Sequence, residues 1–290
     1  MNQQIRKDTV TTTELLNTLR DFKGIKRKSA LADLLHTLGD NAYDDAGVLD
    51  LGQRKLVVST DGIVEDLVRD NPWLAGFYSV VVNVDDIVAK GARPLGYAHV
   101  LSSSSAHTRQ LAVKGIRHGL KKYGLKFLKG HTHPDTSYDA IDAAIVGVGK
   151  NILSSAAARV GDSLVFAVDL DGIAGSKGWV KTFDSVRTKT EEQVMTRLEG
   201  IIKIAEQKLA NACKDVSGPG LVGTIAMMCE SSHVGAAVIL DKIPVPEKLE
   251  LRDWLITYPS TGFILSTDRP DECLRLLKNH ELNANTIGKI

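Results

Sequence analysis

The sequence predicts an α/β protein folded as two domains of similar size, and three observations carry that prediction. Short β-rich aliphatic runs alternate with longer amphipathic segments at helical spacing. The pattern restarts near residue 155, dividing the 290 residues into 1–155 and 156–290, each close to the roughly 150 residues of a typical domain. The composition, 43% hydrophobic and 24% charged, excludes disorder and collagen-like structure.

In chain order, Thr12–Arg20 and Ser29–Leu38 have helical spacing and flank the basic turn Lys23-Gly24-Ile25-Lys26-Arg27-Lys28. Lys55–Thr60 reads as a strand ending at Asp61-Gly62. Trp73, Phe77, Val80, Val81, Val84, Ile87 and Val88 recur with a helical period up to the break at Gly91-Ala92-Arg93-Pro94. A strand at Gly96–Leu101, a helix at His107–Tyr123 and strands at Leu125–Leu128 and Ala140–Val148 complete the first half.

The second half opens at the turn Arg159-Val160-Gly161-Asp162 and the strand Ser163–Leu170. A long helix at Glu191–Cys213 and another at Leu221–Ser231 follow, then strands at Ala236–Leu240, Gly262–Ser266 and Ala284–Ile290, with a helix at Pro270–Asn279.

Charge narrows the function. Thirty-six basic against thirty-five acidic residues leave a net charge of +1, so the chain lacks the basic field with which nucleic-acid binders collect phosphates. Cys213, Cys229 and Cys273 show no metal-ligand spacing and read as reduced thiols, the first and second in helix-like apolar stretches. Met1–Val10 lacks the apolar core of a signal peptide, and no window reaches the ~18 apolar residues of a membrane span. The expectation is a cytoplasmic protein with neither a nucleic-acid nor a membrane partner.

Aspartates carry the chemistry. Asp44-Asp45, Asp61, Asp85-Asp86, Asp135 and Asp215 mostly fall at the ends of predicted elements. Carboxylates brought together there need a cation to remain ionised, and hard oxygen donors suit Mg²⁺ bridging to nucleotide phosphates. Turns also favour aspartate for their own reasons. Asp85-Asp86 lies near the C-terminal end of an apolar helix, where the macrodipole disfavours negative charge. Either Lys90 compensates Asp86 as an i,i+4 ion pair, or a metal does, with Asn83 adding a neutral oxygen from the same helical face.

His131-Thr132-His133 after a glycine is compatible with a transition-metal pair, yet suitable downstream ligands are scarce. Neither G-x-x-x-x-G-K-[ST] nor G-x-G-x-x-G occurs. Ser217-Gly218-Pro219-Gly220 can aim backbone N–H groups at an anion or simply begin a helix. Lys23, Lys26, Arg27 and Lys28 form either a solvated turn or an arm over phosphates. No Ser-His-Asp or Cys-His constellation is identifiable, so no residue is assigned to catalysis.

Taken in order, these segments resemble the superfamily of aminoimidazole ribonucleotide (AIR) synthase, thiamine-monophosphate kinase, selenophosphate synthetase and the hydrogenase maturation factor HypE. Asp44-Asp45-Ala46-Gly47-Val48-Leu49 is similar to its G-D-D-A-A-V-I element, with Tyr43 in place of the glycine. Val58–Gly62 resembles the next strand and its acidic end, and Asn83–Pro94 the S-D-[LI]-x-A-M-G-x-x-P element, with Asp86 on the family aspartate. Lys129-Gly130-His131-Thr132 resembles the G-G-[DH]-T turn, and Lys214–Leu221 the D-[VI]-[ST]-x-G-[LI] element.

The resemblance implies a two-domain PurM-like fold: an N-terminal domain over 1–155, whose sheets pair in a homodimer, and a second α/β domain over 156–290 packed beside it. It further implies ATP in a groove between sheets, with Mg²⁺ bridging its phosphates to Asp44, Asp45, Asp61, Asp86 and Asp215. Lys26 and Arg27 would screen the γ-phosphate, and Gly130, His131 and Thr132 would line the phosphate turn. The implied function is an ATP- and Mg²⁺-dependent phosphotransferase or ATP-activating synthetase acting on a small molecule.

Subfamily features narrow this. No cysteine precedes Cys213, unlike selenophosphate synthetase, and the chain ends Thr286-Ile287-Gly288-Lys289-Ile290, without HypE's cysteine tail. Thiamine-monophosphate kinase remains an alternative, although Ser217-Gly218-Pro219-Gly220-Leu221 lacks the acid of S-D-G-L. Gly223-Thr224, Met227-Met228, Glu230, Gly235-Ala236, Trp254-Leu255 and Pro259–Phe263 look most like the uncharacterised AIR-synthase-related and methanogenesis-marker-2 branch, against which the second domain reads as trimmed. A non-catalytic nucleotide-binding regulatory or scaffold dimer is the other alternative, motivated by Tyr43, Lys129 and the short C-terminus.

Overall fold

The computed structural model describes residues 12–28, 37, 44–176, 178 and 180–290. Apart from Thr37, the helix expected over Ser29–Leu38 lies outside them, as does Tyr43. Helices α1 (Thr12–Asp21) and α2 (Lys23–Lys26) come first, so the basic turn is partly helical.

The N-terminal half is one five-stranded sheet. Strands β1 (Gly47–Asp50), β2 (Lys55–Ile63), β3 (Arg93–Ser102), β4 (Lys126–His133) and β5 (Ala140–Gly149) lie in the order β1-β2-β5-β3-β4, with only β3 and β4 parallel. On β5, Ile141, Ala143 and Ile145 are buried, while Asp142 between them is exposed, the period-2 signature of a sheet with one covered face. Cross-strand register puts Leu49 and Val100 on the opposite face, where both remain exposed.

Three helices accompany this sheet: α3 (Glu65–Asp70), α4 (Pro72–Ala89) and α5 (Ala106–Lys122). Fourteen of the eighteen α4 residues are buried, so this helix is enclosed all round instead of presenting one apolar stripe. Its limits follow from local chemistry. The Asn71 side chain accepts from the Leu74 N–H at 3.0 Å and Pro72 opens the first turn. Gly91 ends it with φ of +71°, a conformation glycine adopts without strain. Where α4 crosses α5, a Cβ on Gly76 would stand 2.0 Å from the Ala112 carbonyl oxygen, and one on Gly115 1.9 Å from that of Trp73. Only glycine permits backbones this close.

The C-terminal half is a second five-stranded sheet, fully antiparallel. It contains β6 (Ser163–Val168), β9 (Ala212–Asp215), β10 (Ala237–Val238), β12 (Gly262–Thr267) and β13 (Asn283–Lys289), in the order β10-β13-β6-β12-β9. Every residue of β6 and β12 is buried. A small sheet, β11-β8-β7, joins Thr257–Pro259, Lys181–Asp184 and Ile173–Ala174. The helices are α6 (Glu191–Glu206), α7 (Gly220–Ser232), α8 (Leu251–Trp254) and α9 (Pro270–Asn279). A single apolar core runs from Val81 and Ile87 of α4 to Val165 of β6, Ile201 of α6 and Leu265 of β12, so α4 joins the two halves.

One predicted helix is corrected. The segment Glu191–Cys213 is helical only to Glu206; Lys208 then turns with φ of +54°, and the chain continues as β9. Leu209, Ala212 and Cys213 extend the apolar spacing of the helix, but all three are buried on the strand side of that turn. Cys213 is therefore a strand residue. Among the described residues, no helix is long and apolar enough to cross a membrane.

Candidate functional site

Between the two halves lies a cavity of about 750 Å³. Its walls come from separate parts of the chain: Asp44 and Asp45 before β1, Asp61 near the end of β2, Asp86 one turn before the end of α4, and Lys214 and Asp215 on β9. Arg27 and Lys28 close one side, Ser217–Pro219 another, and Tyr78, Thr182 and Tyr258 the inner wall. Gly24 of α2 fits against the second half because a Cβ there would lie 2.4 Å from the Gly218 carbonyl oxygen.

Asp45, Asp86 and Asp215 each offer a carboxylate oxygen, and these oxygens lie within 4.8 Å of one another. Asp45 Oδ2 and Asp215 Oδ1 are buried without a hydrogen-bond partner. Burial, and then the negative charges of Asp215 and Asp61, hold the Asp86 carboxyl well above the usual carboxylate range; burial also raises Asp215. Asp61 lines the same cavity with an exposed side chain; desolvation in the cavity raises its carboxyl too, against the pull of Lys28.

Ser59 bridges two residues of the cavity wall. Its Oγ stands 2.8 Å from Asn83 Oδ1 and 2.5 Å from Asp86 Oδ2, yet a hydroxyl has one proton to donate. The hydroxyl donates to one of these two oxygens at a time, tying Asp86 to Asn83 beneath the site. Three convergent carboxylates, two of which carry a buried oxygen without a hydrogen-bond partner, fit a hard divalent cation.

The sequence expectations separate at this point. The structure brings Asp45, Asp61, Asp86, Asp215 and Arg27 to one cavity. Asp44 also lines it, but both of its oxygens are taken: Oδ1 accepts from Lys90 Nζ, and Oδ2 from Ser154 Oγ at 2.9 Å and the Ser155 N–H at 3.0 Å. That set holds the Asp44 carboxyl below its ordinary value in spite of burial. Lys90 therefore pairs with Asp44 and Asp45, not with Asp86 four residues before it.

Asn83 is fully buried beneath the site, its amide accepting from Ser59 and donating to the Ser79 carbonyl at 3.0 Å, so it supports the wall without reaching the cavity. Lys26 pairs with Asp21 at 3.1 Å and does not line the cavity. Gly130, His131 and Thr132 lie on the edge strand β4, away from it. The parallel pairing of β3 with β4 makes that segment a strand instead of a turn at the site.

Three contributors went unmarked in the sequence. Lys214 donates to Asp45 Oδ1, and its signal was a lysine within an otherwise buried strand. Tyr258 OH donates to Asp85 Oδ2 at 2.7 Å, and Tyr78 OH to Thr182 Oγ1 at 2.9 Å. Both tyrosines depend on pairings more than 100 residues apart, which periodicity does not report.

Residues 43–150 match the AIR synthase related protein, N-terminal domain, and residues 159–290 match its C-terminal domain. The chain belongs to the AIR synthase related family. Its fold is the PurM-like two-domain arrangement. Within this family, an uncharacterised protein of Methanocaldococcus jannaschii is 35% identical over 96% of the chain and 90% of its own length. A thiamine-monophosphate kinase of Pyrococcus horikoshii is 30% identical, covering 74% of the chain and 70% of the kinase. Among solved structures, T. maritima PurL complexed with AMPPCP superposes with a TM-score of 0.76 at 18% identity, over 96% of this chain. This chain spans 47% of PurL.

Proposed function

We propose that this protein binds ATP together with Mg²⁺ in the cavity between its halves and transfers a phosphoryl group to an oxygen of a small molecule. The observation that carries the reading is the convergence of Asp45, Asp86 and Asp215 at a cavity wall, with two orphaned oxygens among them. The AMPPCP bound by PurL and by AaThiL, and the kinase activity named for the Pyrococcus horikoshii relative, support the same ligand class.

Those three carboxylates would hold the cation, which supplies charge neutralisation at the phosphates. Phosphoryl transfer asks little covalent chemistry of a protein, so the remaining residues act by position and charge. The acceptor oxygen bonds to the γ-phosphorus as the bond to the β–γ bridging oxygen breaks, and ADP leaves. Arg27 and Lys28, on the cavity wall, offset the charge that shifts to the leaving phosphate. Asp61, on the same cavity wall, offsets part of the charge of that basic segment.

The test is calorimetric binding of ATP with Mg²⁺ and again with EDTA, on the native chain and on Asp86→Asn. The expected outcome is Mg²⁺-dependent binding that the variant weakens on the order of 100-fold, with turnover falling in parallel. Equal binding and turnover by both proteins would refute the assignment. Acceptor screening would begin with thiamine monophosphate.

We also propose a homodimer built on the outer face of the N-terminal sheet, because Leu49 and Val100 lie exposed there and the edge strands β1 and β4 are uncovered. Sedimentation equilibrium should give twice the chain mass, and Val100→Glu should give the chain mass. A monomeric native chain would refute the dimer and leave the ATP reading standing.

A further inference from the structure

The acidic centre already contains cations of its own. Lys90, with no exposed surface, donates to Asp44 Oδ1, lies 3.5 Å from Asp45 Oδ2 and 3.4 Å from the Cys213 carbonyl oxygen. Lys214, 4% exposed, donates to Asp45 Oδ1.

We propose that Lys90 and Lys214 are resident counter-ions that close the Asp44–Asp45 half of the cluster and restrict the centre to a single divalent cation, held by Asp86, Asp215 and the remaining oxygen of Asp45. The proposal rests on the metal-binding part of the reading above and is independent of what the phosphate acceptor is.

Oxygen occupancy carries the first step. Both Asp44 oxygens and Asp45 Oδ1 already accept hydrogen bonds, while Lys90 approaches Asp45 Oδ2 only to 3.5 Å, leaving that oxygen without a hydrogen bond. Among the described residues Asp61 does not join the set of oxygens that lie within 4.8 Å of one another, so a second ion held by Asp44 or Asp45 Oδ1 would have to displace a lysine. Charge and burial carry the second step. An ammonium in hydrogen-bond contact with Asp45 repels any cation placed on that same oxygen. Neither lysine can withdraw easily, because leaving its partners would strand a buried charge. Lysine suits the role as a compact point charge, whereas a guanidinium would need room for its planar fork.

Counting ions tests this without nucleotide and without any assay of activity. Mn²⁺ is titrated into the metal-free chain and the free ion is followed by electron paramagnetic resonance. The native chain should hold about one Mn²⁺, Lys214→Met about two, and Lys214→Arg about one, since the arginine keeps the charge. Circular dichroism verifies that each variant is folded. If Lys214→Met fails to fold, Lys90→Met serves in its place, and the native count alone still decides. Two ions on the native chain overturn the proposal, as does a folded Lys214→Met that binds one. No Mn²⁺ on either chain would overturn the metal centre along with it, whereas a correct count with no ATP binding would leave this inference intact and sink only the nucleotide reading.

Discussion

The molecule buries two clusters of charge, and they are finished differently. Around Asp169, in the second half, Lys189 Nζ lies 3.2 Å from Oδ2, Arg197 Nε lies 2.8 Å from the same atom, and the Asp171 N–H donates to Oδ1 at 3.0 Å. Lys189 also meets Asp171 at 3.1 Å, and Arg197 meets Glu281 at 2.8 Å. Each carboxylate there faces a cation. At the cavity, Lys90 and Lys214 neutralise Asp44 and Asp45, but among the described residues no ion pair includes Asp86 or Asp215. Burial of charge is common to both. A network in which each carboxylate faces a cation holds the fold together, while one left with an excess of like charge gains stability when a cation binds.

The largest effect that could break this comparison comes from removing one carboxylate from each cluster. Asp169→Asn leaves two buried cations without their shared partner, and should cost about 3–5 kcal/mol of unfolding free energy. Asp215→Asn removes a carboxylate that raises the pKa values of Asp86 and Asp61, so the metal-free variant should lose no stability, and binding of divalent cations should fail. Urea unfolding in EDTA measures both. Equal losses in the two variants would mean that the cavity cluster is another structural network.

The elements that carry the site were largely readable because each announces itself locally. The helical period from Trp73 to Val88 marked α4 and so the position of Asp86. The restart near residue 155 and the strand at Gly262–Ser266 located the second sheet that holds Asp215 through the pairing of β12 with β9. What stayed hidden depends on distant partners. Lys90 sits four residues after Asp86, and the i,i+4 rule suggests a pair, but tertiary packing turns its side chain toward Asp44, 46 positions earlier. Gly130, His131 and Thr132 illustrate the converse, since a motif match fixes neighbours in sequence and the sheet decides which face they reach. The strands β7, β8 and β11 are two to four residues long, too short for alternation to register.

A smaller effect, of opposite sign at the two ends of the cavity, sharpens the comparison through pH. Asp86, Asp215 and Asp85 have folded pKa values raised above the unfolded value, first by burial; the charges of Asp215 and Asp61 raise Asp86 further, while Lys214 and Lys28 partly offset the rise at Asp215 and the Tyr258 hydrogen bond that at Asp85. A raised carboxylate binds more protons in the folded state than in the unfolded state over the interval between the two values, so its contribution to stability declines as pH rises through that interval. Asp44 is lowered, and its contribution is lost only as pH falls below about 3.9, the ordinary aspartate value. In EDTA the melting temperature should therefore fall as pH rises above the ordinary aspartate value of about 3.9, by roughly 2–4 °C for each kcal/mol lost. With saturating Mg²⁺ the slope should reverse, because protons and metal compete for the same oxygens and bound metal stabilises only the folded chain. A melting temperature in EDTA that climbs steadily over this range would mean that the Asp86 cluster is as well neutralised as the Asp169 network, and the distinction between the two regions would fall.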